Sequence, residues 1–133
     1  MRYSYGVSSE EAAMAESFTI VHASKFERAG PKWALARRSL GVRSFGMNLV
    51  DLRPGETIPE HDETDRDQEE VFAVLSGSPT IVIDGKEYPA PAGTYVRLDP
   101  GPKRTIVNGG GEPASVLIIS APITSGYEPM DWA

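Results

Sequence analysis

Four side chains near the middle of the chain have types and spacings that support site chemistry: His61, Glu63, Glu70 and Arg104. Residues two apart in an extended segment share a face, so His61 and Glu63 point the same way. Glu69 and Glu70 are adjacent and point to opposite faces, so one of them is exposed. Phe72 and Val74 continue the face of Glu70, and Arg104, Ile106 and Asn108 share a face further on. One imidazole with two carboxylates suits manganese, iron or zinc and leaves positions open for a substrate. Arginine keeps its charge and is no metal ligand. Beside such a set it has two uses: it clamps a substrate carboxylate, or it replaces the cation by pairing bidentately with Glu63 or Glu70. Two buried acids without a positive neighbour cost several kcal/mol, so a cation or Arg104 must answer them.

Short strands are needed to bring these groups together. From residue 45 the hydrophobic period becomes two: Phe45, Met47 and Leu49 alternate with Gly46, Asn48 and Val50, which makes one face more apolar than the other. Segments 70–75, 80–83, 86–88, 94–98 and 104–108 read as further strands, with Pro- and Gly-containing turns between them. Asp84-Gly85 is the sharpest hairpin signal, because a type I′ turn needs positive φ at both central positions. The triple glycine 109–111 reads as another hairpin, and segment 115–120 as a strand buried on both faces. Phe18 to Val21 reads as a short strand, and residues 1–17 as a tail with a weak helical hint at Ser8 and Glu11. Segment 25–43 is basic, is broken at Gly30-Pro31 and Gly41, and reads as a solvated surface. Trp33 and Trp132 read as packing anchors, and segment 127–132 as packing on the barrel surface or a partner. Short strands about ten residues apart, with no long helical pattern between them, predict an antiparallel sandwich or barrel.

The stretch from Gly55 to Gly77 resembles the first motif of the cupin superfamily: five residues separate Gly55 from His61, Glu63 follows two later, and six residues separate Glu70 from Gly77. The second motif is similar to 93–108: five residues lead from Gly93 to Asp99-Pro100-Gly101, two more to Arg104 and three more to Asn108. The resemblance implies a single-domain, all-β, antiparallel jelly-roll barrel over residues 18–133. It also implies that Glu70 rather than Glu69 faces inward, and the motif register alone turns Arg104 inward. The ligand pocket it implies holds His61, Glu63, Glu70, Arg104, Phe72 and Asn108. Metal-binding cupins use His, His, Glu and His. Here Glu63 and Arg104 stand at the second and fourth of those positions, so His61, Glu63 and Glu70 are the metal candidates. The implied function is a small-molecule-binding cupin without the full four-ligand metal site. The alternative is a metal-dependent oxygenase or isomerase acting on a small organic acid or ring. Homodimerisation is expected from the family, with the acidic segment 60–70 meeting the basic segment 25–43 across the dimer.

Composition narrows the partners. The 133 residues carry no Cys, which excludes disulfides, zinc fingers, iron–sulfur clusters and a cysteine nucleophile. A net charge of −6 argues against phosphate-backbone binding, so no nucleic acid is expected; a small, anionic ligand is expected instead from Arg104, which would hold its anionic group. Eight acids and one base fall between Glu56 and Glu70, so all of the net negative charge sits in the first motif and the rest of the chain is slightly basic. No phosphate-binding glycine loop occurs, and two histidines make a serine–histidine–aspartate triad barely constructible. No apolar window is long enough to span a membrane and the N-terminus has no signal-peptide core, so a cytoplasmic location is expected.

Overall fold

The computed structural model describes residues 17–133. The helical hint at Ser8 and Glu11 lies outside the described residues. In chain order the elements are β1 (Arg28–Ala29), β2 (Trp33–Ala34), α1 (Ala36–Leu40), β3 (Gly46–Leu52), β4 (Gln68–Ser76), β5 (Thr80–Ile83), β6 (Lys86–Pro89), β7 (Tyr95–Leu98), β8 (Arg104–Val107) and β9 (Ala114–Pro122). One sheet has the order β1-β2-β3-β9-β4-β7, the other β6-β5-β8, and every pairing is antiparallel. Their inner faces share one apolar core: Val50 and Leu52, Phe72 and Val74, Ile81, Leu98, Ile106, Val116 and Ile118, with Ile58 and Ala90 from loops. Burying one such side chain stabilises the fold by about 1.5–3 kcal/mol. Among the described residues, no helix is long and apolar enough to cross a membrane.

The strands predicted from residue 70 onward form within two residues of their expected limits. Asp84 has φ 48° and Gly85 φ 80°, so the β5–β6 connection is the expected primed turn. Asp84 also holds the start of β8, because the Lys103 amide donates to its Oδ1 at 2.9 Å. At Gly77 the backbone has φ 77°, and a Cβ would lie 2.5 Å from the Pro113 carbonyl oxygen, so only glycine fits.

Five expectations need correction. Residues 18–21 form no strand; Phe18 and Ile20 are 63% and 80% exposed, and no strand lies beyond the sheet edge at β1 to receive them. In β3 the face turned to the core carries Val50 and Leu52, not Met47 and Leu49. Pairing with β9 decides this, by setting Val50 opposite Val116 and Leu52 opposite Ala114. Strand β9 is fully buried on one face only: Ala114, Val116 and Ile118 alternate with half-buried neighbours. The triple glycine is no hairpin, because β8 and β9 belong to different sheets and the chain crosses between them there. The C-terminal segment does not pack on the barrel of its own chain: Tyr127, Met130 and Trp132 are 76%, 65% and 83% exposed, so Trp132 is no anchor within the chain, whereas Trp33 packs against the core.

Segment 25–43 is also more ordered than a solvated surface. Ser39 in α1 accepts from the Glu27 amide and donates to the Leu35 carbonyl, which ties the helix to the strands before it. Gly41 ends α1 in the left-handed conformation, its N–H reaching the Arg37 and Arg38 carbonyls.

Candidate functional site

The chain before β4 places the first two site residues. It is not a strand but an extended segment that touches the edge of β8 through two isolated bridges, Thr57 to Val107 and His61 to Arg104. His61 and Arg104 exchange both backbone hydrogen bonds, at 3.1 and 2.8 Å, so they sit directly opposite each other. Thr105 holds the same segment by donating from its hydroxyl to the Ile58 carbonyl at 2.6 Å. After His61 the chain turns. The Glu63 amide donates to the Pro100 carbonyl at 2.9 Å, and the 3-10 turn Thr64–Arg66 follows, ending at Asp67 with φ 51°. Asp62 accepts from both the amide and the hydroxyl of Thr64, which holds its carboxyl below the usual range.

The result is a converging cluster. His61 Nε2 lies 3.8 Å from Glu63 Oε1 and 3.9 Å from Glu70 Oε1. Glu70 projects from β4 and is 5% exposed, while its neighbour Glu69 faces solvent and pairs with Arg97 at 3.1 Å. Burial raises the Glu70 pKa, and the negative charge of Glu63 raises it further, against smaller opposing pulls from Arg104 and His61. His61 Nδ1 lies 3.0 Å from the Pro59 carbonyl oxygen. A carbonyl only accepts, so Nδ1 carries the proton, and in the neutral ring the Nε2 lone pair faces the two acids.

Arg104 is fully buried behind this cluster. The expected bidentate pair is absent. Its Nη2 donates to the Asp99 carbonyl at 2.5 Å and its Nη1 to the Pro100 carbonyl at 3.2 Å, so the turn after β7 takes both ends of the fork. Only Nε faces Glu70, 3.4 Å from Oε1. That approach is within ion-pair range, yet it is not a directed hydrogen bond, and both atoms are buried without a hydrogen-bond partner.

In front of the cluster lies a cavity of about 530 Å³, within the range of small-molecule sites. His61, Glu63 and Glu70 line it. Three residues expected in the pocket do not: Arg104 is buried behind Glu70, and Phe72 and Asn108 lie deeper still. Phe72 is fully buried in the core beneath, because β4 carries it one pair of residues deeper than Glu70. Asn108 is also fully buried, and its amide donates to the Leu52 and Glu112 carbonyls at 2.9 and 2.8 Å, closing the crossing between the sheets. Arg37, Arg43 and Arg66 line the cavity and were not singled out as site residues. The available signal was charge segregation, since two of them come from the basic segment and one from within the acidic segment. Residues of both segments thus line one cavity of the same chain.

The Cupin domain family model matches residues 48–120. The chain is a member of the cupin family. Solved cupins share the fold. A cupin protein from Bacteroides fragilis is 23% identical, with 88% of this chain and 93% of that one covered and a TM-score of 0.73. A sugar phosphate isomerase of the cupin superfamily from Silicibacter pomeroyi is 21% identical over 77% of this chain and 75% of that one, with a TM-score of 0.66. A predicted oxalate decarboxylase from Thermotoga maritima is 20% identical over 79% of this chain and all of that one (100%), also with a TM-score of 0.66. No curated protein matches this sequence. At these identities the likeness is one of fold, and activity has to be argued from the site.

Cupins invite a test for metal. One ligand atom each from His61, Glu63 and Glu70 lie within 4.8 Å of one another, and the buried Glu70 Oε1 has no hydrogen-bond partner. The donor set therefore fits a divalent cation, which three protein ligands can hold while leaving positions open. At the fourth position of a cupin site stands the guanidinium of Arg104.

Proposed function

We propose that this cupin binds a small polar molecule in the cavity over His61, Glu63 and Glu70, with Arg104, buried behind Glu70, in place of a fourth ligand. The observation that carries the reading is the Glu70 Oε1 atom: buried, acidic and without a hydrogen-bond partner at the base of an open cavity. A buried acceptor left unmade costs about 1–3 kcal/mol, so a ligand that donates a hydrogen bond there recovers stability on binding. The Glu63 carboxylate is a second acceptor on the same floor. Hydroxyl donors of a hydroxy acid or polyol suit both. Arg104 supplies a fixed positive charge, so two acids can share the floor without a cation.

Isothermal titration of the untagged protein with tartrate, repeated on Glu70→Gln, tests this. Binding that weakens at least about tenfold in the variant is expected. Equal affinity in the two proteins would refute the role of Glu70.

The convergence of three ligand atoms favours one second reading, a metal-dependent cupin. In that case His61, Glu63 and Glu70 hold a manganese, iron or zinc ion, which supplies a Lewis acid to an oxygen of the substrate. His61 then coordinates through Nε2 while Pro59 fixes its ring. Plasma mass spectrometry of protein grown in metal-supplemented medium decides between the readings. One ion per chain, lost in His61→Ala, supports the metal reading; sub-stoichiometric metal removes it.

A further inference from the structure

The cavity is electrically two-ended. Its floor carries Glu63 and Glu70, while Arg37, Arg43 and Arg66 also line it. Arg43 lies on the connection from α1 to β3, Arg66 on the 3-10 turn before β4, and both are exposed. Among the described residues neither makes an ion pair, so neither charge is spent on the acids of the floor. Arg37 is held in place by donating to the Val42 carbonyl at 3.1 Å. Guanidinium groups gathered round one cavity repel each other, and an anion between them relieves that repulsion. Each also presents a planar fork of donors that matches a carboxylate or a phosphate.

We propose that Arg43 and Arg66, together with Arg37, form an anion-binding rim, so that the ligand of this cupin is a small hydroxylated organic anion. Its carboxylate or phosphate lies at the rim and its hydroxyls reach His61, Glu63 and Glu70. The orientation follows from charge. An anionic group pushed to the floor would meet two carboxylates, whereas at the rim it meets guanidinium groups on chain segments far apart in sequence. This rests on the small-molecule reading above and adds the ligand's class and direction.

Titration calorimetry at constant ionic strength tests it with three probes: inorganic phosphate, tartrate and the neutral polyol sorbitol. Phosphate and tartrate should bind the wild-type protein, and sorbitol should bind at least about tenfold more weakly than tartrate. The Arg43→Gln/Arg66→Gln double variant should lose about tenfold or more for both anions, each lost bidentate contact weakening binding. Arg97→Gln removes one charge away from the cavity and should change nothing, so an equal loss there would reduce the effect to net charge and overturn the proposal. Wild-type affinity of the double variant for phosphate, no phosphate binding by the wild type, or sorbitol binding as tightly as tartrate would also overturn it. Glu70→Gln separates the two readings. It should keep phosphate binding while losing tartrate affinity. If tartrate affinity survives in Glu70→Gln but falls in the double variant, the rim stands and the floor does not.

Discussion

Replacing Arg104 with Met keeps an unbranched side chain as far as the Nε position and removes the guanidinium charge, and the consequences can be worked through atom by atom. The guanidinium is fully buried, its Nε stands 3.4 Å from Glu70 Oε1, and it donates to the Asp99 and Pro100 carbonyls. Unit charges 3.4 Å apart attract by about 5 kcal/mol at an effective dielectric near 20. Breaking a buried pair by deleting one partner costs about 3–5 kcal/mol, and the two carbonyls lose their donors as well. Glu70 escapes part of the cost by taking up a proton, which gives the loss a sign with pH. Its folded pKa is already raised, so its ionisation opposes folding. That penalty is absent below the unfolded carboxylate pKa, about 4.3, and grows as pH rises through the folded value. Loss of Arg104 raises the folded value further and deepens the penalty. Urea unfolding should therefore show Arg104→Met destabilised by about 3–5 kcal/mol near pH 8 and by clearly less near pH 5. Adding Glu70→Gln to Arg104→Met should restore part of the loss near pH 8. A loss under about 1 kcal/mol, or one equal at both pH values and untouched by Glu70→Gln, would refute the reasoning.

Four further substitutions test the scaffold. Asn108→Ala leaves the Leu52 and Glu112 carbonyls without their side-chain donor and should cost about 2–4 kcal/mol by urea unfolding; a neutral result would mean that the crossing between sheets does not depend on it. Gly77→Ala and Gly85→Ala both place a Cβ at positive φ, at a strain of about 1–2 kcal/mol each. Only at Gly77 does the Cβ also meet backbone, 2.5 Å from the Pro113 oxygen, so its thermal midpoint should fall clearly further, and equal shifts would contradict that packing. Thr105→Val removes the 2.6 Å bond to the Ile58 carbonyl and should cost about 1 kcal/mol, measured by calorimetric melting; an unchanged midpoint would show that Thr57, which also reaches that carbonyl, carries the contact alone.

Much of this cupin is determined by sequence alone. Strand limits from residue 70 onward, the primed turn at Asp84-Gly85 and the break of the basic segment at Gly41 follow from local rules of period two and positive φ, whereas the short helix α1 before that glycine was not legible in the sequence. The inward set Glu70, Phe72, Val74 and the set Arg104, Ile106, Asn108 follow from the same alternation once motif spacing sets the register. What the tertiary structure decided depends on contacts between segments far apart. Alternation names two faces of β3 but not which one turns to the core, and the register against β9, with Val50 beside Val116 and Leu52 beside Ala114, settled it. Depth along a strand is equally invisible to a period of two, which is why Phe72 and Asn108 share faces with site residues and still lie outside the cavity. Arg104 turned inward as the motif spacing implied, but its hydrogen-bond partners are the carbonyls of a turn, because the Asp99 and Pro100 oxygens stand within reach of Nη2 and Nη1 while Nε alone faces Glu70. The placement of three arginines around the cavity required the fold to carry residues 37, 43 and 66 to one place, and no local pattern encodes that distance.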